Sequence, residues 1–209
     1  MTINNLHRAI ANLSAKRNAF WSEADFQFAL AWELKQILPN ANIHLERCYQ
    51  LPNHKDEYRI DIWIEEQGKI FPIELKYKTK NATILQNGTT ISLKNHGAVD
   101  LGCYDYLKDI ARIENIASNE PSFERGFTVI LTNEHKYYTQ MKAQSAYDNF
   151  KIYQGAIRTG NLTWMLTRKG TTFVYNSRCP FLLKGVYTMN WTPYNSGQHG
   201  FMYLINVIQ

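Results

Sequence analysis

Long apolar runs are missing from this 209-residue chain. None approaches the ~20 residues that a membrane-spanning helix needs. The opening Met1-Thr2-Ile3-Asn4-Asn5-Leu6 has no charged segment leading into an apolar run, so no signal peptide is expected. Cysteine is scarce. Cys48, Cys103 and Cys179 are odd in number and show no CxxC spacing, which argues against a disulfide framework and against a zinc site. A reducing cytoplasm is the expected location. His7, His44, His54, His96, His135 and His199 form no HxH or HExxH pair, so a zinc hydrolase is disfavoured. The patterns GxxxxGK[ST], GxGxxG and GxSxG are absent, so neither a phosphate-binding loop nor a nucleophile elbow is implied. There is no internal repeat and no low-complexity segment.

What is present suits one soluble globular domain over residues 1–209, with 44% hydrophobic and 20% charged residues. The net charge of +5 is uneven. Residues 1–120 hold 14 Lys+Arg against 15 Asp+Glu, and residues 121–209 hold 9 against 3. The last third also carries many Tyr and Trp, with Arg158, Arg168, Lys169, Arg178 and Lys184 among them. Such a surface suits a polyanion, through phosphate neutralisation and base stacking. The alternative is a basic face turned to solvent.

Periodicity places the elements. Leu6, Ile10 and Leu13 predict a helix within 3–18. Ser22 is a candidate N-cap, and Glu23 and Asp25 follow in the first turn, where negative charge is favoured. Phe26, Leu30, Leu34 and Ile37 form the stripe of that second helix, which Pro39 ends. Residues 43–50 read as a strand and 52–56 as a turn. Arg59–Ile64 and Ile70–Tyr77 read as two strands joined by the polar link Glu65-Glu66-Gln67-Gly68-Lys69. Residues 80–97 read as a loop or weak hairpin bordering the substrate. A long helix is expected over 98–118, with Leu101, Tyr104, Leu107, Ile110 and Ile113 inside and Asp105, Lys108, Asp109 and Arg112 outside. The apolar run 126–133 suits a buried central strand. A helix is expected over 134–149. Further strands are expected at Thr163–Arg168, Thr171–Tyr175, Leu182–Trp191 and Phe201–Val207.

Twelve residues separate Asp61 from Glu74-Leu75-Lys76. Strand alternation predicts Ile60, Ile62 and Ile64 on one face and Asp61 with Trp63 on the other. It likewise sets Ile73, Leu75 and Tyr77 opposite Glu74, Lys76 and Lys78. A hairpin would therefore gather Asp61, Glu74 and Lys76 in one small volume. Hard divalent cations are held by one or two carboxylates plus substrate phosphates.

At these residues the chain resembles the PD-(D/E)xK nuclease superfamily, whose pattern is an acid on one strand, a turn, then acid-x-Lys on the next. Ile60 stands where the family often has Pro. An upstream helix with a Glu is usual, and Glu23 fits it. The likeness covers residues 20–140. It implies an α/β, restriction-endonuclease-like mixed central sheet flanked by helices, with residues 150–209 as a β-rich extension. It implies Asp61, Glu74, Lys76 and Glu23 as catalytic residues. It implies Mg²⁺ or Mn²⁺ held by Asp61, Glu74, Glu23 and the Leu75 carbonyl. The implied function is hydrolysis of DNA, of the restriction or mobile-element-defence kind, with RNA as the alternative substrate. Cutting both strands of a duplex would favour a homodimer. Two other classes stay open: a non-catalytic nucleic-acid-binding module, and an interaction protein in which Asp61, Glu74 and Lys76 form surface ion pairs.

Overall fold

The computed structural model describes residues 1–52, 57–141, 144–165, 178–196 and 199–209. Helices α1 (Ile3–Lys16) and α2 (Glu23–Ile37) precede strands β1 (Asn42–Gln50), β2 (Glu57–Glu66) and β3 (Lys69–Lys78). Strands β4 (Ala82–Gln86) and β5 (Thr89–Leu93) and helix α3 (Val99–Asn119) lead to β6 (Gly126–Thr132). Strands β7 (Ile157–Leu162), β8 (Phe181–Thr188), β9 (Trp191–Pro193) and β10 (Met202–Ile208) follow. The fold is mixed α/β, and among the described residues no helix is long and apolar enough to cross a membrane.

The central sheet has the order β1-β2-β3-β6-β10-β9. Its pairs are antiparallel except β3 with β6, which run parallel because α3 makes the crossover between them. One face packs α1 and α2 against Ile62, Ile73, Leu75 and Val129. The other packs α3 against Ile130, Leu204 and Ile208. Leu162, Leu183 and Tyr187 of the β7–β8 pair join that second cluster, so α3 is covered on two sides. This is why α3 buries more than one stripe, including Glu114 on the β8 side, while Asp109 is buried toward Lys76 of β3. Glu114 takes the N–H groups of Lys184 and Gly185 and the Tyr187 hydroxyl, which satisfies its carboxylate inside.

Local chemistry explains the element ends. The Ser22 hydroxyl accepts the Asp25 N–H at the start of α2. Gln67 and Gly68 both take positive φ between Glu66 and Lys69, the conformation a two-residue hairpin turn requires. Asn87-Gly88 does the same between β4 and β5, so the polar stretch after Lys80 is a formed hairpin.

Several expectations are corrected. The helix expected over 134–149 is absent among the described residues; only single 3₁₀ turns form, at His135–Tyr137 and Asp148–Phe150. Glu134 captures the Lys136 N–H, and Asp148 captures Ser145, local bonds that compete with a helix. Strand β7 lies where no strand was expected, and Thr163, Trp164 and Met165 are not strand. The expected strand Thr171–Tyr175 and residues 166–168 lie outside the described residues, as do Arg168 and Lys169. Ile60 does not share a face with Ile62 and Ile64: it packs with Trp63, Ile70 and Ile116. The alternation shifts opposite Glu46, whose positive φ interrupts β1. Strands β9 and β10, drawn from the segment expected to extend the core, are built into the central sheet itself.

Candidate functional site

Strand β3 changes partner halfway along. Residues 69–73 pair with β2, up to Ile62↔Ile73, and residues 73–78 pair with β6. Beyond Ile62, β2 stays with β1 and leaves β3. The two strands therefore fork at Asp61 and Glu74. A fork frees backbone groups on the edge of β3 that β2 has left, and these need partners. The Leu75 N–H donates to Asp61 Oδ2 at 2.5 Å, and the Tyr77 N–H donates to Glu23 Oε2 at 2.6 Å. Two of the acids singled out in the sequence are thus tied to alternate residues of one strand.

Glu74 and Lys76 point to the α3 face and meet Asp109 and Arg112. Lys76 Nζ lies 2.5 Å from Asp109 Oδ2, and Arg112 Nη1 lies 2.9 Å from Glu74 Oε1 and 3.2 Å from Asp109 Oδ1. Lys76 Nζ also donates to the Leu75 carbonyl, at 3.0 Å. Arg112 donates to the Arg59 carbonyl and lies over the Tyr58 ring. Glu74 is 2% exposed and Asp109 5%. Among the described residues, Asp61, Glu74 and Asp109 face two cations here, Lys76 and Arg112, a deficit of one positive charge when all three acids are ionised.

The acid–base balance follows from that deficit. Burial, joined by repulsion from Asp109 and Asp61, pushes the Glu74 carboxyl well above the usual carboxylate range despite Arg112. Burial also raises Asp61, and Lys76, the Leu75 N–H and a hydrogen bond shared with Glu74 offset only part of it. Burial works against the Lys76 ammonium, yet Asp109, Glu23 and Asp61 hold its pKa above the ordinary lysine value. Glu74 Oε1 and Asp109 Oδ2 touch their cations as ion pairs but find no aligned hydrogen bond, and the neighbouring Thr128 hydroxyl is orphaned too.

Gln27 of α2 donates to the Asp61 carbonyl at 2.6 Å and to Glu46 at 2.7 Å, pinning the kinked part of β1–β2. Glu33 is taken by Lys16 and Asn12, away from this centre. An open cleft of about 890 Å³ lies above the fork. Its walls carry Lys76, Lys78, Lys108, Arg112 and Arg178, with Glu23, Glu57, Asp105 and Asp109 between them and Tyr58 at one side. Arg178 pairs with Asp105 at 3.2 Å. Of the basic tail's described residues, Arg178 alone lines this cleft; Arg158 is spent on the Lys151, Ile157 and Asp148 carbonyls, and Lys184 bonds Ser118.

The structure thus brings together Asp61, Glu74, Leu75 and Lys76, with Glu23 of α2 bonded to the next open N–H of β3, at Tyr77. It adds Asp109, Arg112 and Gln27, which the sequence reading passed over. The available signal was the i,i+3 pair Asp109/Arg112 on the helix after acid-x-Lys, misread as a solvent face. Among the described residues, no group of three or more His, Cys, Asp or Glu side chains is arranged to hold a metal ion. Asp61 and Glu74, with the Leu75 carbonyl, are nonetheless hard-oxygen donors of the kind Mg²⁺ takes with water and phosphate. The surplus of carboxylate over cation, and a Glu74 Oε1 that pairs with Arg112 without an aligned hydrogen bond, fit a divalent cation at these oxygens. Comparison with protein-family models, with curated proteins and with solved structures found no match.

Proposed function

We propose that this chain is a divalent-metal-dependent nuclease of restriction-endonuclease-like fold that hydrolyses phosphodiester bonds, with DNA as its substrate. One observation carries the proposal: Asp61, Glu74 and Lys76 converge at the β2/β3 fork, and Lys76 opens onto a cleft whose walls hold five basic and four acidic side chains. A divalent cation held by Asp61, Glu74 and the Leu75 carbonyl would neutralise phosphoryl charge and lower the pKa of a bound water.

The chain's own residues do the rest. Lys76 has three N–H donors; the Leu75 carbonyl takes one, and Asp109 holds the ammonium as an ion pair. A remaining donor would hold the attacking water and offset charge growing on the reacting phosphoryl group. Asp109 acts through Lys76 as a positioning residue. Lys108 and Arg178, which line the cleft wall, would take flanking phosphates. Glu23 fixes the open edge of β3 through the Tyr77 N–H, which keeps Lys76 and Leu75 in register with Asp61.

A second reading has its own support. The ring Lys76–Asp109–Arg112–Glu74 pairs its charges within the chain, as a non-catalytic nucleic-acid-binding module would. Incubation of supercoiled plasmid and of labelled single strands with Mg²⁺ or Mn²⁺ separates the two. The nuclease reading expects cleavage that Lys76→Ala and Asp61→Asn abolish; binding without cleavage in the wild type would favour the module.

A further inference from the structure

Beside the cleft lies a second hollow of about 360 Å³, between the start of α2 and the β4–β5 hairpin. The two share Glu23 and Lys78, so one trough runs from the fork outward. Trp21 lines it at 58% exposure, with no aromatic neighbour among the described residues. Lys78 and Lys94 line it as well, and neither has an ion-pair partner among the described residues. Glu23 is the one acid in the lining, and its Oε2 is already held by the Tyr77 N–H.

His96 closes the far wall. Its Nδ1 accepts the Thr79 N–H at 3.1 Å, and the Thr79 hydroxyl donates to the Lys94 carbonyl. In the neutral ring the proton therefore sits on Nε2. Burial and the nearby Lys78 push the His96 pKa down, against a smaller pull from Glu23. The ring is thus a neutral donor at neutral pH, within the field of Lys78.

A large flat ring, two unpaired ammonium groups and one fixed N–H donor suit a stacked base with its phosphates. A base can stack on Trp21 only if it is out of a duplex. We propose that this trough binds a single-stranded polynucleotide segment, with an unpaired base on Trp21 and phosphates at Lys78 and Lys94. The inference rests on the nuclease reading for its direction: the strand leaves the fork along the trough. On that basis the substrate is a single strand, or a duplex with a frayed or flapped end.

Fluorescence anisotropy with 5′-labelled dT12 and with a blunt 12-base-pair duplex, both in EDTA, tests it on the full chain. Trp21→Ala should weaken dT12 binding about tenfold, near the low end of one stacked base, and leave the duplex unchanged. Lys94→Ala, on an exposed loop position, should flatten the salt slope for dT12 by about 0.7, one phosphate contact. Circular dichroism should show both variants folded. Wild-type affinity for dT12 in both variants, or no binding of dT12 by the wild type, would overturn the trough. Cleavage assays run in parallel keep the two proposals apart. Cleavage with unaltered dT12 binding in the variants sinks the trough alone. Trp21-dependent binding without cleavage of any substrate sinks the nuclease alone.

Discussion

Asp61→Asn should make the metal-free protein more stable at pH 8. The substitution is nearly isosteric: its amide oxygen still accepts the Leu75 N–H, and its amide nitrogen can donate to Glu74. What disappears is one charge from a cluster of three carboxylates facing two cations. Like charges about 4 Å apart repel by about 4 kcal/mol at an effective dielectric near 20, and the lost attraction to Lys76 cancels most of that. A net gain of about 1 kcal/mol remains, which is roughly 2–4 °C in Tm for a chain of this size. The pH dependence has a definite sign. Asp61 and Glu74 titrate above their ordinary values of 3.8 and 4.5 when folded. The native state therefore holds more protons than the unfolded chain in that window. The stabilisation is complete below the unfolded values and is lost as pH rises through the raised ones. Thermal melts in EDTA should show the wild type losing Tm from pH 5 to pH 8, and the variant losing less. Mg²⁺ at a hundredfold excess over its dissociation constant should add about 2.7 kcal/mol to the wild type and little to the variant. A variant that melts several degrees lower in EDTA at pH 8, or that gains as much from Mg²⁺ as the wild type, would refute the reasoning.

Other perturbations separate the roles assigned to neighbouring groups. Arg112→Leu leaves Glu74 and Asp109 facing each other and should cost about 3–5 kcal/mol in urea unfolding; a loss under 1 kcal/mol would mean the ring does not hold. Glu23→Ala strands the Tyr77 N–H and should cost about 1–3 kcal/mol, while Glu23→Gln keeps an acceptor and should stay near wild type. Equal losses in both would show that the charge of Glu23, not its hydrogen bond, matters. Gly126→Ala would drive a Cβ into Ile113 Cγ2 at the start of β6 and should cost about 1–3 kcal/mol by overpacking, read as a fall in the urea midpoint.

The parts of the fold carried by local pattern were legible in the sequence. Ser22 and the Phe26 stripe announce α2, the polar link 65–69 announces the β2–β3 turn, and the apolar run 126–133 announces β6. Asp61, Glu74 and Lys76 were legible as a set because acid-x-Lys on a strand after a hairpin is a local pattern. The fork was not legible, since it depends on which strand β3 meets after Ile73. Asp109 and Arg112 were misread for a related reason. A charge on a helix looks solvent-facing until the tertiary fold sets it against other charges, here Lys76 and Glu74 of β3. Nothing local in α2 says that Gln27 meets the Asp61 carbonyl. The place of β10 beside β6 is a pairing across some seventy residues, beyond the reach of any periodicity.

The central claim is that the β2/β3 fork is a hydrolytic centre. Its most direct measurement is Mg²⁺- and Mn²⁺-dependent cleavage of plasmid and single-stranded DNA by the wild type beside Lys76→Ala, with both proteins shown to be folded. The account predicts cleavage by the wild type that EDTA stops, and loss of cleavage with retained binding in Lys76→Ala. Folded wild type that cleaves neither substrate with either metal, or a Lys76→Ala variant that cleaves as fast as the wild type, would contradict it.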